Sequence, residues 1–309
     1  MNVHTLYAVN IATVSDVDLF IDQISNFSID PGIEDMLVGA DGSVDNTFLA
    51  VGNQAPRISF TTSALATALA TAGISGLKID SDADDDGLEC WFQKVTEGAT
   101  RGAESTHIKM TVNEGMLVPR TLSAAHNEPA TLEYEVVISY DGTNDPIVIA
   151  TSASLEGTAS VGEVFTCGPV SINGTTLAGI QDISIDFGLT EYVIGADGTV
   201  WPTFVAIQER SPVITIKTTE VAALNTFGIT GVAQGTTDSV VYLRKISEGA
   251  TRVAAATAQH ISFTIDEGMI RVTDISGGNN DMQVATVEIK PTYDGTNAVM
   301  VIDAAVAIT

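Results

Sequence analysis

Positive charge is scarce in this chain. Thirteen lysines and arginines stand against 39 acidic residues among 309, for a net charge of -26. A protein that grips nucleic acid neutralises phosphates with Lys and Arg, and no basic stripe occurs here, so DNA- and RNA-holding functions are excluded. The same imbalance suits a protein that must not stick to DNA, or one kept soluble at high local concentration. Cysteine is nearly absent. Cys90 and Cys167 form neither a CxxC pair nor a disulfide framework and are expected to be small buried residues in a reduced compartment. No apolar run approaches the roughly 20 residues needed to span a bilayer. The start, MNVHTLYAVNIATVSDVDLF, has no basic residue at its head and no long apolar core, so no signal peptide and no membrane partner are expected.

Catalytic patterns are missing as well. There is no HExxH, GxSxG, GxxxxGK[ST] or strand-borne GxGxxG. The four histidines give no paired ligands: His4 is terminal, His126 stands alone, and His107 and His260 each precede an alternating strand, where a structural role is expected. No enzyme is expected.

What the chain does have is an internal repeat. GADGSVDNTFLAV (39–51) matches GADGTVWPTFVAI (195–207), KVTEGATR (94–101) matches KISEGATR (245–252), and HIKMTVNEGM (107–116) matches HISFTIDEGM (260–269). SIDPG (28–32) matches SIDFG (184–188), and YDGTN occurs at 140–144 and 293–297. The order is kept and the offset drifts only between 151 and 156 residues. The reading is a domain copied in tandem, 1–155 and 156–309, each copy with its own core. Glu97 and Arg101 recur as Glu248 and Arg252; such a pair is expected to fix a loop or a subunit contact rather than to catalyse.

The pattern is mainly β. TLEYEVVISY (131–140) alternates apolar and polar residues as a half-buried strand does. The Asp-Gly of YDGTN between apolar runs predicts a hairpin, and so do ADGS and ADGT. HIKMTV and HISFTI read as strands closed by Asn-Glu-Gly and Asp-Glu-Gly turns. One short helix per copy is expected, at 62–73 and 218–228, capped by Thr or Ser, ended by Gly73 or Gly228, and buried through Leu65, Ala68, Leu69 and Ala72. The expected fold is two tandem homologous β-sandwich or barrel domains, each with one short flanking α-helix.

The run DSDADDDGLE (80–89) is the one metal candidate. Asp82, Asp84, Asp86 and Gly87 fit the first half of an EF-hand loop. Position 12 is Gln93 rather than Glu, LECWFQKV reads as a strand, and the other copy has QGTTDSV there. Two readings stay open: a looser calcium loop, or a solvated acidic loop with no cofactor.

The segment INGTTLAGIQDISIDFGLTEYVIGADGTVWPTFVAIQERSPVITIKTTEVAALNTFGI (172–229) resembles the opening half of a tail tube protein of long-tailed bacteriophages. The resemblance lies in a strand, a long hairpin, a Pro-containing apolar strand and a short helix, and APRISFTTSALATALATAGI (55–74) keeps that order in the first copy. The first copy departs at its opening, VSDVDLFIDQISNFSIDPG. The resemblance implies rings of six β-sandwich domains stacked into a conduit for DNA. A duplicated chain then needs three copies, a trimer with pseudo-sixfold symmetry, with an acidic lumen through which DNA passes without specific binding. It also implies other virion proteins as partners, a place in the virion after assembly in the host cytoplasm, and stacking contacts through the ADGS and ADGT hairpins. Competing readings are a double-barrel viral capsid or capsid-decorating protein, a calcium-dependent binding or adhesion module, and, last, an enzyme with scattered acids.

Overall fold

A computed structural model describes the chain apart from residues 1–2, 12–18, 81–86, 96, 98–105, 156–161, 197, 222–230, 234–236, 250–251 and 280–281. It is mainly β, with one short helix among the described residues. The N-terminal half runs β1 (Val3–Ile11), β2 (Leu19–Ile21), β3 (Ile24–Asp30), β4 (Ile33–Gly39), β5 (Asn46–Gln54), β6 (Arg57–Thr62), α1 (Leu65–Ala72) and β7 (Leu77–Asp80). It continues with β8 (Leu88–Val95), β9 (His107–Val112), β10 (Glu114–Ala125), β11 (Thr131–Ser139) and β12 (Ile147–Ala153). The C-terminal half opens with β13 (Val164–Ile172), β14 (Thr175–Leu177), β15 (Ile180–Asp186), β16 (Leu189–Gly195), β17 (Pro202–Arg210) and β18 (Val213–Thr218). Next come β19 (Val232–Ala233), β20 (Ser239–Ile246), β21 (His260–Ile265), β22 (Gly268–Ser276), β23 (Val284–Pro291) and β24 (Val301–Val306).

Two five-stranded antiparallel sheets have the same internal order, β12-β9-β8-β1-β2 and β24-β21-β20-β13-β14. A third, ten-stranded sheet has the order β19-β22-β23-β18-β15-β10-β11-β6-β3, with β7 also on β10. Alternation explains which face is dry. In β6 Ile58, Phe60 and Thr62 are buried while Arg57, Ser59 and Thr61 are half-exposed. In β18 Ile214, Ile216 and Thr218 are buried in the same rhythm. Leu132, Tyr134 and Val136 continue the dry face on β11.

Separate cores are not what these faces build. The buried apolar side chains of both halves, from Val9 to Met300, form one continuous cluster. The physical reason is the junction β10·β15, which carries the ten-stranded sheet without a break from one half into the other.

Three local readings need correction. YDGTN does not join a hairpin: β11 lies in the ten-stranded sheet, and β12 pairs with β9 in a five-stranded one. Asp141 accepts the N–H groups of Thr143 and Asn144, each at 2.7 Å, and closes a turn that carries the chain between sheets. Asp294 does the same for Thr296 and Asn297. Next, Asn113 is the single residue between β9 and β10. Rather than a turn closing a hairpin, it marks a corner where the chain switches sheets. Finally, α1 starts at Ala64 without a side-chain cap. Thr62 instead accepts the Ala64 N–H at 3.0 Å and donates to Asp22 O at 2.8 Å, and Gly73 ends the helix at φ 56°. The buried face Leu65, Ala68, Leu69 and Ala72 is as read, and the Tyr134 hydroxyl donates to Ala68 O at 3.0 Å, tying helix to sheet. Most of the second expected helix, 222–228, lies outside the described residues.

Candidate assembly interface

Asp82, Asp84 and Asp86 lie outside the described residues. Their flanks do not continue an EF-hand. Asp80 pairs with Lys78 on β7, and the chain leaves through Gly87 into a strand, β8, rather than a helix. Gly87 sits at φ 74°, and a Cβ there would lie 2.3 Å from Val112 O. Among the described residues no group of three or more His, Cys, Asp or Glu could hold a metal ion.

The matched histidines share one structural task. His107 Nδ1 accepts the Lys94 N–H at 3.0 Å, and His260 Nδ1 accepts the Lys245 N–H at 3.2 Å. Both rings are fully buried. Burial pushes the thiols of Cys90 and Cys167 up, away from a reactive thiolate. Arg101 lies outside the described residues. Its counterpart Arg252 bonds Asn127 Oδ1 at 2.8 Å, across to the N-terminal half, and not Glu248.

The most constructed polar site is the join between the halves. Five residue pairs, from Thr121↔Asp186 to Ala125↔Asp182, make the β10·β15 ladder. Leu122 and Ile185 face each other in it at 0% exposure. The hairpin β16–β17 then reaches back over the N-terminal half. Tyr140 donates its N–H to Pro202 O at 2.7 Å, Gln54 donates to Val200 O at 2.8 Å, and the Tyr140 and Trp201 rings meet at 5.1 Å.

Arg120 locks this seat. It donates to Glu135 at 2.7 Å and to Leu189 O at 2.8 Å, and it pairs with Glu191 at 2.6 Å. Arg57 holds the other oxygen of Glu135 at 2.5 Å. Burial by itself raises the Glu135 pKa, but the hydrogen bonds and charges of Arg57 and Arg120 outweigh it and hold the carboxyl below its usual range. Arg120 is half-buried, and its carboxylate partners keep it charged against the desolvation it suffers there.

The open face of the ten-stranded sheet carries further pairs of this kind: Lys217–Asp182 at 2.9 Å and Arg271–Glu288 at 2.5 Å. Asp30, Glu133 and Asp186 add exposed carboxylates with no cation paired to them among the described residues. The face is therefore mixed in charge, with acids in excess.

β3 at one end of the sheet, and at the other the part of β22 beyond its short pairing with β19, match the strands of the join. By the repeat offsets, Ile275 on β22 stands where Leu122 stands on β10, and Ile29 on β3 stands where Ile185 stands on β15. Ile275 is 45% exposed and Ile29 is 41% exposed. Beside β3 lies an open groove of about 360 Å³, lined in part by Ile29, Pro31, Ile147 and Ile149. The hairpin β4–β5, matching β16–β17, meets Val200 through Gln54 at its base, and along its length Ile33, Leu37, Leu49 and Val51 are all exposed. The match is not complete. Phe187 donates its N–H to Arg120 O at 3.0 Å, and the matching residue, Pro31, has none to give.

No sequence motif singles out Arg120 and Glu135 at the join, or Ile29 and Ile275 at the open edges. The repeat held the signal for the last two, since it assigns each a buried counterpart. Compared with known proteins, the chain matches no family model and no curated sequence.

Proposed function

We propose that the chain is a structural protein built from two copies of one β-sandwich domain, 1–155 and 156–309, that assembles with itself into rings. In this reading the β22 edge of one chain adds to the β3 edge of the next, as β10 adds to β15 within the chain. The observation that carries it is the pair of half-exposed isoleucines, Ile29 and Ile275, whose counterparts at the closed join are fully buried. An unpaired strand edge with apolar side chains is a template for another strand. A head-to-tail contact of this kind closes into a ring when the rotation allows.

Three chains would supply six domains. The open face of the ten-stranded sheets would then line a channel whose lysines and arginines are already neutralised by neighbouring carboxylates. Such a wall offers phosphate no free cation, so DNA slides through without being held. Together with the resemblance to phage tail tubes, this supports a tail tube role in the virion, with rings stacked end to end and other virion proteins at the tube ends. The outer faces of both hairpins remain apolar, with Met36, Val38 and Phe48 on one and Tyr192, Ile194 and Phe204 on the other. They are the surfaces proposed for ring stacking.

Negative-stain electron microscopy of the purified protein, with calcium and with chelator, tests the reading. Hollow tubes or stacked rings in both conditions are expected. Closed shells or flat sheets would favour the capsid reading, and dispersed monomers in both would count against self-assembly. Assembly only with calcium would make Asp82, Asp84 and Asp86 the first residues to replace.

A further inference from the structure

We infer that the β4–β5 hairpin is an arm that seats on the C-terminal half of a second copy of this chain, using the bonds that β16–β17 makes inside one chain. The inference rests on the ring reading above and adds a separate surface to it.

The in-chain seat supplies the template. Its anchors are the Tyr140 N–H, the Gln54 N–H, and Arg120 with its partner Glu135. The C-terminal half repeats three of these anchors: Tyr293, Arg210 and Glu288 stand at the Tyr140, Gln54 and Glu135 positions, while Thr273 stands at that of Arg120. Tyr293, matching Tyr140, is 64% exposed. Arg271 bonds Glu288, the counterpart of Glu135, through Nε at 2.7 Å. Arg271 stands at the Val118 position of the repeat, and its side chain is 43% exposed. Arg210, matching Gln54, lies at the base of the β16–β17 hairpin.

The arm repeats the groups that bind there. Asp35 stands at the Glu191 position, Asp45 at the Trp201 position, and Asn46 at the Pro202 position. The two hairpins also share their irregularities. Register shifts fall at Glu34/Asp35 and Val38/Gly39 in one, and at Thr190/Glu191 and Ile194/Gly195 in the other. Both leave the sheet through the same glycine turn: Gly32 at φ 58° and Gly188 at φ 57°, each with its N–H on the preceding aspartate at 2.9 Å. One launch geometry therefore aims both hairpins alike.

The seated contacts follow. The Tyr293 N–H donates to Asn46 O of the next copy, and the Arg210 N–H donates to Val44 O. Val44, at the arm's tip, is fully exposed in the single chain. Each arm tip would touch the base of the next hairpin, so the hairpins form a continuous belt around the ring. Two differences weaken the copy: the Tyr140–Trp201 ring contact becomes Tyr293 against Asp45, and the Arg120–Glu191 pair becomes Thr273 against Asp35.

Disulfide trapping tests this apart from the ring itself. Cysteines are placed as Asp45→Cys with Tyr293→Cys for the arm, and as Ile29→Cys with Ile275→Cys for the sheet edge. Bridging needs Cα atoms within about 7 Å, and the two native cysteines are buried. Under mild oxidation with oxidised glutathione, the arm pair is expected to give chain-to-chain cross-links up to a closed set of three, absent in either single variant. Cross-linking of the edge pair without the arm pair would overturn the arm and keep the ring. Failure of both would overturn both. A bridge within one chain, read as no gain in mass, would also overturn the arm.

Discussion

Leu122 and Ile275 hold equivalent places in the repeat, yet one is fully buried and the other 45% exposed. Ile185 and Ile29 differ in the same way. The side chains are nearly the same; what differs is whether a strand lies beside them. The chain thus contains one closed join and two open edges that repeat its residues, and the proposed assembly pairs those edges as the join does. At roughly 25 cal/mol per Å² of apolar surface removed from water, such edges are costly to leave open.

The comparison is broken most severely at the closed join. Leu122→Ala is expected to cost about 2–5 kcal/mol of unfolding free energy, whereas Ile275→Ala should leave the melting of a dilute, unassembled chain nearly unchanged. Denaturant titration of both variants at low concentration checks the contrast, and equal losses would mean the two sites are not equivalent. Next in size is Glu135→Gln, which removes the carboxylate that Arg57 and Arg120 share and leaves Arg120 only Glu191. A loss of about 2 kcal/mol is expected at neutral pH, since hydrogen bonds to charged groups are worth roughly 1.5–3 kcal/mol. The Glu135 pKa is lowered in the folded chain from an ordinary 4.5. Its contribution is therefore present above that value and lost as pH falls through the folded value. The wild-type and variant melting curves should draw together below about pH 4.5, and a constant gap down to pH 2 would refute the assignment.

Smaller effects sharpen the picture. Tyr134→Phe removes the bond to Ala68 O and should cost about 1 kcal/mol in thermal unfolding. At the open edge the repeat places Asp274 opposite Asp30, where the closed join has Thr121 opposite Asp186. Asp274→Thr copies the closed join and removes a like-charge pair worth roughly 0.2–1 kcal/mol. Sedimentation velocity should then show association tightened a few-fold, and weakened association would argue against this register.

Local signals were legible in the residues themselves. The rhythm of RISFTT and VITIKT marks strands with one dry face, and Leu65, Ala68, Leu69 and Ala72 mark the helix stripe. ADGS and ADGT mark true hairpins because both flanking runs pair with each other. YDGTN misleads because Asp-Gly reports a turn and not the partner of the strands on either side. The join was invisible for a different reason. Pairing Ala124 with Ile183 joins strands 59 residues apart, and neither strand's alternation names its neighbour. Arg120 likewise finds Glu135 and Glu191 only once β10, β11 and β16 are brought together.

Native mass spectrometry of the wild-type chain beside Ile29→Asp tests the central claim most directly. A wild-type assembly of three times the 32.2 kDa chain mass, or stacks of that unit, is expected, with a folded monomer for Ile29→Asp. A wild-type chain that stays monomeric at every concentration, or an Ile29→Asp variant that assembles unchanged, would contradict it.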